Sequence, residues 1–114
     1  MNKLYGISNC DTVKKAKAWL TDRGIDFEFV DFRKQGLSAS QVRNWTDAAG
    51  IDLILNKRGT TWRALSEDQK MITDQDQLVE LMTQSPTLIK RPVLETSDRI
   101  EVGFKPDQYQ SLFQ

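Results

Sequence analysis

Apolar positions recur along the chain with two different periods, and these divide it into strands and helices. Residues 3–7, Lys3-Leu4-Tyr5-Gly6-Ile7, read as a short strand that breaks at Ser8-Asn9. Asp11 and Thr12 can open a helix with Val13, Ala16 and Leu20 on one face, at i, i+3 and i+7, and lysines elsewhere. Gly24 after Arg23 supplies its stop. Over residues 26–32 the period falls to two, with Phe27 and Phe29 on one face and Val30 and Phe32 on the other, which predicts a second strand. A strand, helix and strand of this length form a βαβ unit, so the two strands are expected to be parallel.

The next helix is marked at its start. Ser38 and Gln41 make a capping-box pattern, with Leu37 and Val42 at the positions of a hydrophobic staple, and the helix should run to about Ala49 and end at Gly50. Residues 51–72 are less regular: Leu53-Ile54-Leu55, then Asn56-Lys57-Arg58-Gly59-Thr60-Thr61-Trp62-Arg63, then a short helical stretch from Ser66. A further helix is expected from near Thr73, burying Leu78, Leu81 and Met82 and closed by Pro86. Two short strands follow, Pro92 to Glu95 and Ile100 to Gly103, joined by a turn at Thr96-Ser97-Asp98-Arg99; Pro106 opens a last helix. The order is β-α-β, helices, β-β-α. It fits an α/β protein of thioredoxin-like layout, with a mixed four-stranded sheet and a helical insertion at about 36–85, among other α/β topologies.

Composition narrows the chemistry. The chain has 114 residues, 16 Lys and Arg, 16 Asp and Glu, no His and one Cys. This length suits one core, and one domain spanning 1–114 is expected. The absence of His removes Ser-His-Asp triads, Cys-His dyads and His-ligated metal sites. One Cys removes an internal disulfide, a Cys-x-x-Cys pair and a four-cysteine zinc site, so no metal is expected. Zero net charge argues against direct nucleic-acid binding. No apolar run reaches the roughly 18 residues of a membrane helix, and the start is too short and polar for a signal peptide. With a single thiol, a cytoplasmic location is expected.

Cys10 is the obvious nucleophile. It sits between a strand and the first turn of a helix, where unpaired N–H groups carry positive partial charge and favour a thiolate; Lys14 and Lys15 lie one turn on, and Asp11 opposes them if it faces the sulfur. The alternative is a buried structural thiol. Arg91-Pro92 precedes a strand, where an X-Pro bond can be cis and Arg91 can hold an anion near Cys10; trans is the commoner isomer. The segment 56–63 resembles an oxyanion-binding loop, or else a solvated turn. Lys105 is either a surface cation or a third positive group at the site. Trp19, Trp45 and Trp62 read as packing residues.

Asn9-Cys10-Asp11-Thr12, Asp31-Phe32-Arg33-Lys34, Arg58-Gly59-Thr60-Thr61-Trp62-Arg63, Leu88-Ile89-Lys90-Arg91-Pro92-Val93 and Val102-Gly103-Phe104-Lys105-Pro106 occur in that order. Together they resemble the ArsC family of arsenate-reductase-like proteins, in its Spx and YffB branch and nearest the YffB subgroup. The resemblance covers essentially the whole chain. It implies a thioredoxin-like fold with a helical insertion and a cis proline at Pro92. The family nucleophile falls on Cys10, and the arginine before the proline on Arg91. The arginine in the insertion falls on Arg58 or, in another register, Arg63. Where glutathione-using arsenate reductases carry a third arginine, this chain has Lys105, a point charge without the planar fork. Val13 stands where many Spx-type regulators have a second cysteine.

The resulting expectation is a glutathione-dependent thiol reductase, an oxidoreductase whose Cys10 thiolate forms a mixed disulfide with glutathione. Arg91, Arg58, Lys105, Lys14, Asn9 and Pro92 would shape the glutathione site. Glutathione is the co-substrate, no cofactor is bound, and glutaredoxin is a candidate partner; no membrane is involved and the protein is expected to be a monomer. Two alternatives stand beside this: a glutathione- and glutaredoxin-linked arsenate reductase, and a non-catalytic Spx-like module that binds a partner such as RNA polymerase.

Overall fold

The structure, a computed structural model, describes residues 2–113. In chain order the elements are β1 (Asn2–Gly6), α1 (Asp11–Asp22), β2 (Phe27–Asp31), α2 (Phe32–Gln35), α3 (Ala39–Ala49), α4 (Ile51–Ile54), α5 (Thr60–Arg63), α6 (Glu67–Lys70) and α7 (Gln75–Gln84). A 3-10 turn (Pro86–Leu88), β3 (Val93–Glu95), β4 (Ile100–Val102) and α8 (Pro106–Leu112) complete them. The chain forms two compact units, one from residues 1–35 and 91–114 and the other from Gly36 to Lys90.

The first unit holds a four-stranded sheet of order β2-β1-β3-β4. β1 and β2 are parallel, with Leu4 opposite Phe29 and Gly6 opposite Asp31. β3 runs antiparallel to β1, with Tyr5 opposite Val93, and β4 antiparallel to β3, with Val93 opposite Val102. This mixed sheet, with α1 as the β1–β2 crossover and α8 after the hairpin, is the thioredoxin-like arrangement, one of the α/β topologies that the period changes allow. The expected face of α1 is the buried one: Val13, Ala16, Trp19 and Leu20. Ala16, Trp19 and Leu20 join Leu4, Leu94 and Tyr109 in the core, edged by Phe27, Phe29, Phe104 and Phe113. Tyr109 meets Trp19 and Phe104 edge to face, with centroids 5.6 and 4.7 Å apart.

The second unit is helical. α3 begins as expected, with Ser38 and Gln41 closing a capping box, and packs Val42 and Trp45 inward. α6 carries a second capping box, between Ser66 and Gln69. α7 buries Leu78, Val79, Leu81 and Met82. It starts at Gln75 rather than near Thr73, because the Asp74 carboxylate accepts from the Gln77 N–H and so sets the first turn. The strand expected over 26–32 ends one residue early for a related reason. Asp31 caps the N–H groups of Arg33 and Lys34, so Phe32 opens α2 instead of extending β2.

Tyr109 yields a stability prediction. Its ring is fully buried and its hydroxyl finds no hydrogen-bond partner among the described residues. Burial, reinforced by the charge of Glu101, pushes the phenol well above its ordinary 10.0. A raised folded-state value gives a contribution that is intact below about pH 10 and lost as pH climbs toward that value. Tyr109→Phe removes both the desolvated hydroxyl and this alkaline limb. Thermal melts should show the variant more stable by about 1 kcal/mol at neutral pH, with a smaller loss above pH 10.

Candidate functional site

The site is built where three strands of the first unit end. β1 leaves the sheet at Gly6, and Ile7-Ser8-Asn9-Cys10 forms a turn closed by the Cys10 N–H on the Ile7 carbonyl at 3.3 Å. Cys10 is the N-cap of α1: its backbone is extended, and its carbonyl accepts the first helical bond, from the Lys14 N–H at 3.0 Å. The N–H groups of Asp11, Thr12 and Val13 precede that bond and give the helix end its positive partial charge. The thiol is free, half-buried, and makes no capping hydrogen bond. Asn9 and Lys14 are exposed on either side of it in sequence.

Gly6 brings α1 close to β1. A Cβ at Gly6 would stand 2.7 Å from Val13 Cγ2, so only glycine lets the first turn of α1 settle there. Val13 is completely buried by this packing.

The Arg91-Pro92 bond is cis. The register Tyr5 opposite Val93 places it at the end of the sheet from which β1 runs on to Cys10. Arg91 is half-buried and Pro92 buried. The Pro92 carbonyl accepts from the Gly103 N–H at 2.8 Å, and Gly103 adopts φ 80 before the chain reaches Lys105, the N-cap of α8. Lys105 is exposed and forms no ion pair among the described residues. Cys10, Arg91, Pro92 and Lys105 thus converge on one end of a single sheet, with Asn9 and Lys14 flanking the thiol.

Arg58 belongs to the second unit. There an antiparallel bridge pairs Leu55 with Ile89, and hydrogen bonds of 2.8 Å join Asn56 N–H to Leu88 and Lys90 N–H to Ile54. This pairing seats Lys90 beside the 56–58 turn. Lys57, Arg58 and Lys90 line a cavity of about 420 Å³ with Asp52 and Asn56, an excess of two positive charges. Asn56 Oδ1 accepts from the Arg58 N–H at 3.0 Å and shapes the turn. Arg63 is committed elsewhere: its Nη2 donates to the Arg58 carbonyl at 2.9 Å. Arg58 and Arg63 are both exposed. Trp62 is half-buried, with the Lys57 ammonium 5.3 Å from its ring centre.

The sequence reading missed two contributors. Lys90 joins the cavity only through the Leu55–Ile89 bridge, which no periodicity announces. Asp31 was visible as an acidic residue closing an apolar strand, and its role appears only in its hydrogen bonds. Oδ2 accepts from the Ser8 N–H at 3.3 Å, and Oδ1 from the N–H groups of Arg33 and Lys34 at 3.0 and 3.3 Å. Burial works against ionisation, but these donors outweigh it and hold the carboxyl below its ordinary 3.8.

Fold and site together define a thioredoxin-fold protein with one cysteine at the N-terminus of its first helix and a cis proline at the same end of the sheet. The chain belongs to the ArsC family, whose model matches residues 5–112. A solved YffB protein superposes with a TM-score of 0.96 at 42% identity over the full length of both chains. An arsenate reductase (ArsC) related protein from Brucella melitensis is 44% identical, with a TM-score of 0.77 over 99% of this chain and 94% of that one. The global transcriptional regulator Spx of Listeria innocua is 29% identical over 110 residues, 95% of this chain and 83% of the regulator. Among the described residues no group of His, Cys, Asp and Glu could hold a metal ion, and no helix is long and apolar enough to cross a membrane.

Proposed function

We propose that this protein is a glutathione-linked thiol reductase that works through Cys10 alone. The observation that carries the reading is the Cys10 thiol itself: free, half-buried, at the N-cap of a twelve-residue helix and engaged in no capping bond. The Cys10 thiolate attacks the glutathione sulfur of a mixed disulfide. A Cys10–glutathione bond forms, the old disulfide breaks, and the substrate leaves as its thiolate and takes up a proton. A second glutathione, as thiolate, then attacks the glutathione sulfur of the adduct. It releases glutathione disulfide and returns Cys10 to the thiolate, so each turn consumes one glutathione thiol and converts the mixed disulfide into the substrate thiol and glutathione disulfide. The chain has no second cysteine, so an external thiol must perform this step. Arg91, Lys105 and Lys14 suit the two carboxylates of glutathione.

A coupled assay tests the cycle. With reduced glutathione, a cysteine–glutathione mixed disulfide and glutathione reductase, the protein should sustain turnover, and prior alkylation by iodoacetamide should reduce it to the uncatalysed rate. Unchanged turnover after complete alkylation would refute the role of Cys10. Arsenate reduction is a second reading, favoured by the name of the Brucella relative; the lysine at position 105 weighs against it. The Spx-like binding reading rests on the relation to that regulator and predicts an inert Cys10.

A further inference from the structure

β2 ends in a buried carboxylate that the cycle above does not use. Asp31 is 9% exposed and stands opposite Gly6 in the parallel register, one residue before β1 passes into the turn that carries Cys10. Its two oxygens are divided between two segments. Oδ1 caps α2 through Arg33 and Lys34, while Oδ2 receives the Ser8 N–H, from the second residue of the Ile7–Cys10 turn. The same turn is pinned on its other side where Val13 packs on Gly6. Ser8 itself is exposed, so its N–H would meet water without Asp31. A carboxylate is the side chain that can accept at both oxygens; the isosteric amide offers one acceptor and presents an N–H₂ to the other donor.

We propose that Asp31 is a positioning residue for Cys10: by holding the Ser8 N–H it fixes the turn that sets the sulfur at the open end of α1. This rests on Cys10 being the reacting group. Asp31 touches no substrate, and its own negative charge works against a thiolate nearby. Geometry and charge therefore pull the reactivity of Cys10 in opposite directions, which makes the sign of the effect diagnostic. If Asp31 acts through the turn, removing it takes the sulfur out of register with the helix end and lowers reactivity. If it acts through its charge, removing it raises reactivity.

The test is Asp31→Asn, read by the rate and pH profile of Cys10 alkylation with iodoacetamide. Relative to the parent, the variant should react about tenfold more slowly at pH 7, with its profile moved to higher pH. An unchanged rate and profile, or a profile moved to lower pH, overturns the proposal. Asp31→Glu keeps the charge and both acceptors and should recover part of the rate. If the variants fail to fold, Asp11→Asn, which removes the other carboxylate next to Cys10, serves as background for an acid titration followed by NMR. The Ser8, Arg33 and Lys34 amides should shift with one midpoint, and Cys10 resonances should follow it; Cys10 resonances that ignore that midpoint overturn the proposal. An unreactive Cys10 in the parent would refute the reductase cycle instead, and the NMR titration would still decide the role of Asp31.

Discussion

Cys10→Ser is expected to lose all mixed-disulfide chemistry while becoming slightly more stable. The chain has no other thiol, so no residual route through a neighbouring cysteine exists. A serine hydroxyl is a far weaker nucleophile toward disulfide sulfur than a thiolate, and turnover in the coupled assay should fall to background. The stability effect follows from the cap. Cys10 is the N-cap of α1 with extended backbone, yet its side chain makes no capping bond. Serine is among the preferred N-cap residues because its oxygen accepts from N–H groups of the first turn, and a gain of about 0.5–1 kcal/mol is expected. Opposite movement of activity and melting temperature would separate a functional cysteine from a structural one. A Cys10→Ser protein that keeps turnover, or that melts well below the parent, would contradict this assignment.

The second large effect concerns arsenate. Reducing an oxyanion at a thiolate needs cationic donors already fixed around the oxygens. At the end of the sheet that holds Cys10, Arg91 is half-buried ahead of the cis proline, whereas Lys105 is exposed, with a mobile and strongly hydrated ammonium. Losing a fixed charged donor costs about 2.7–4 kcal/mol, or roughly a hundredfold or more in rate. Arsenate turnover with glutathione and glutaredoxin should therefore lie near background, and Lys105→Arg should raise it. Mixed-disulfide formation should change far less, since a carboxylate can meet a point charge. Efficient arsenate turnover by the unaltered protein, or no gain in Lys105→Arg, would show that Lys105 does not set the specificity.

Much of the fold was legible because local signals and burial agreed. The change from a three-to-four-residue period around Val13, Ala16 and Leu20 to a two-residue period at Phe27 and Phe29 marks the crossover and the second strand. Ser38 and Gln41 mark α3 by the bonds they make. The signals that misled were side chains competing for the same backbone groups. Asp31 terminates β2 by capping α2, and Asp74 displaces Thr73 as the start of α7. Cys10 stands out in the composition as the one thiol, and its place at the start of α1 follows from the strand-to-helix break at Ser8-Asn9. The cis bond before Pro92 was legible only through family resemblance, because local sequence favours trans. Lys90 and the Ser8–Asp31 bond depend on residues brought together across the chain, and no local pattern encodes them.

Reversible glutathione exchange at Cys10 can be read by intact-mass spectrometry. The protein is mixed with oxidised glutathione, sampled over time, and then treated with reduced glutathione. One glutathione per chain is expected, mapped to Cys10 and discharged by reduced glutathione with release of glutathione disulfide. A Cys10 that stays unmodified under conditions where free cysteine forms the adduct, or an adduct that excess glutathione cannot discharge, would contradict it.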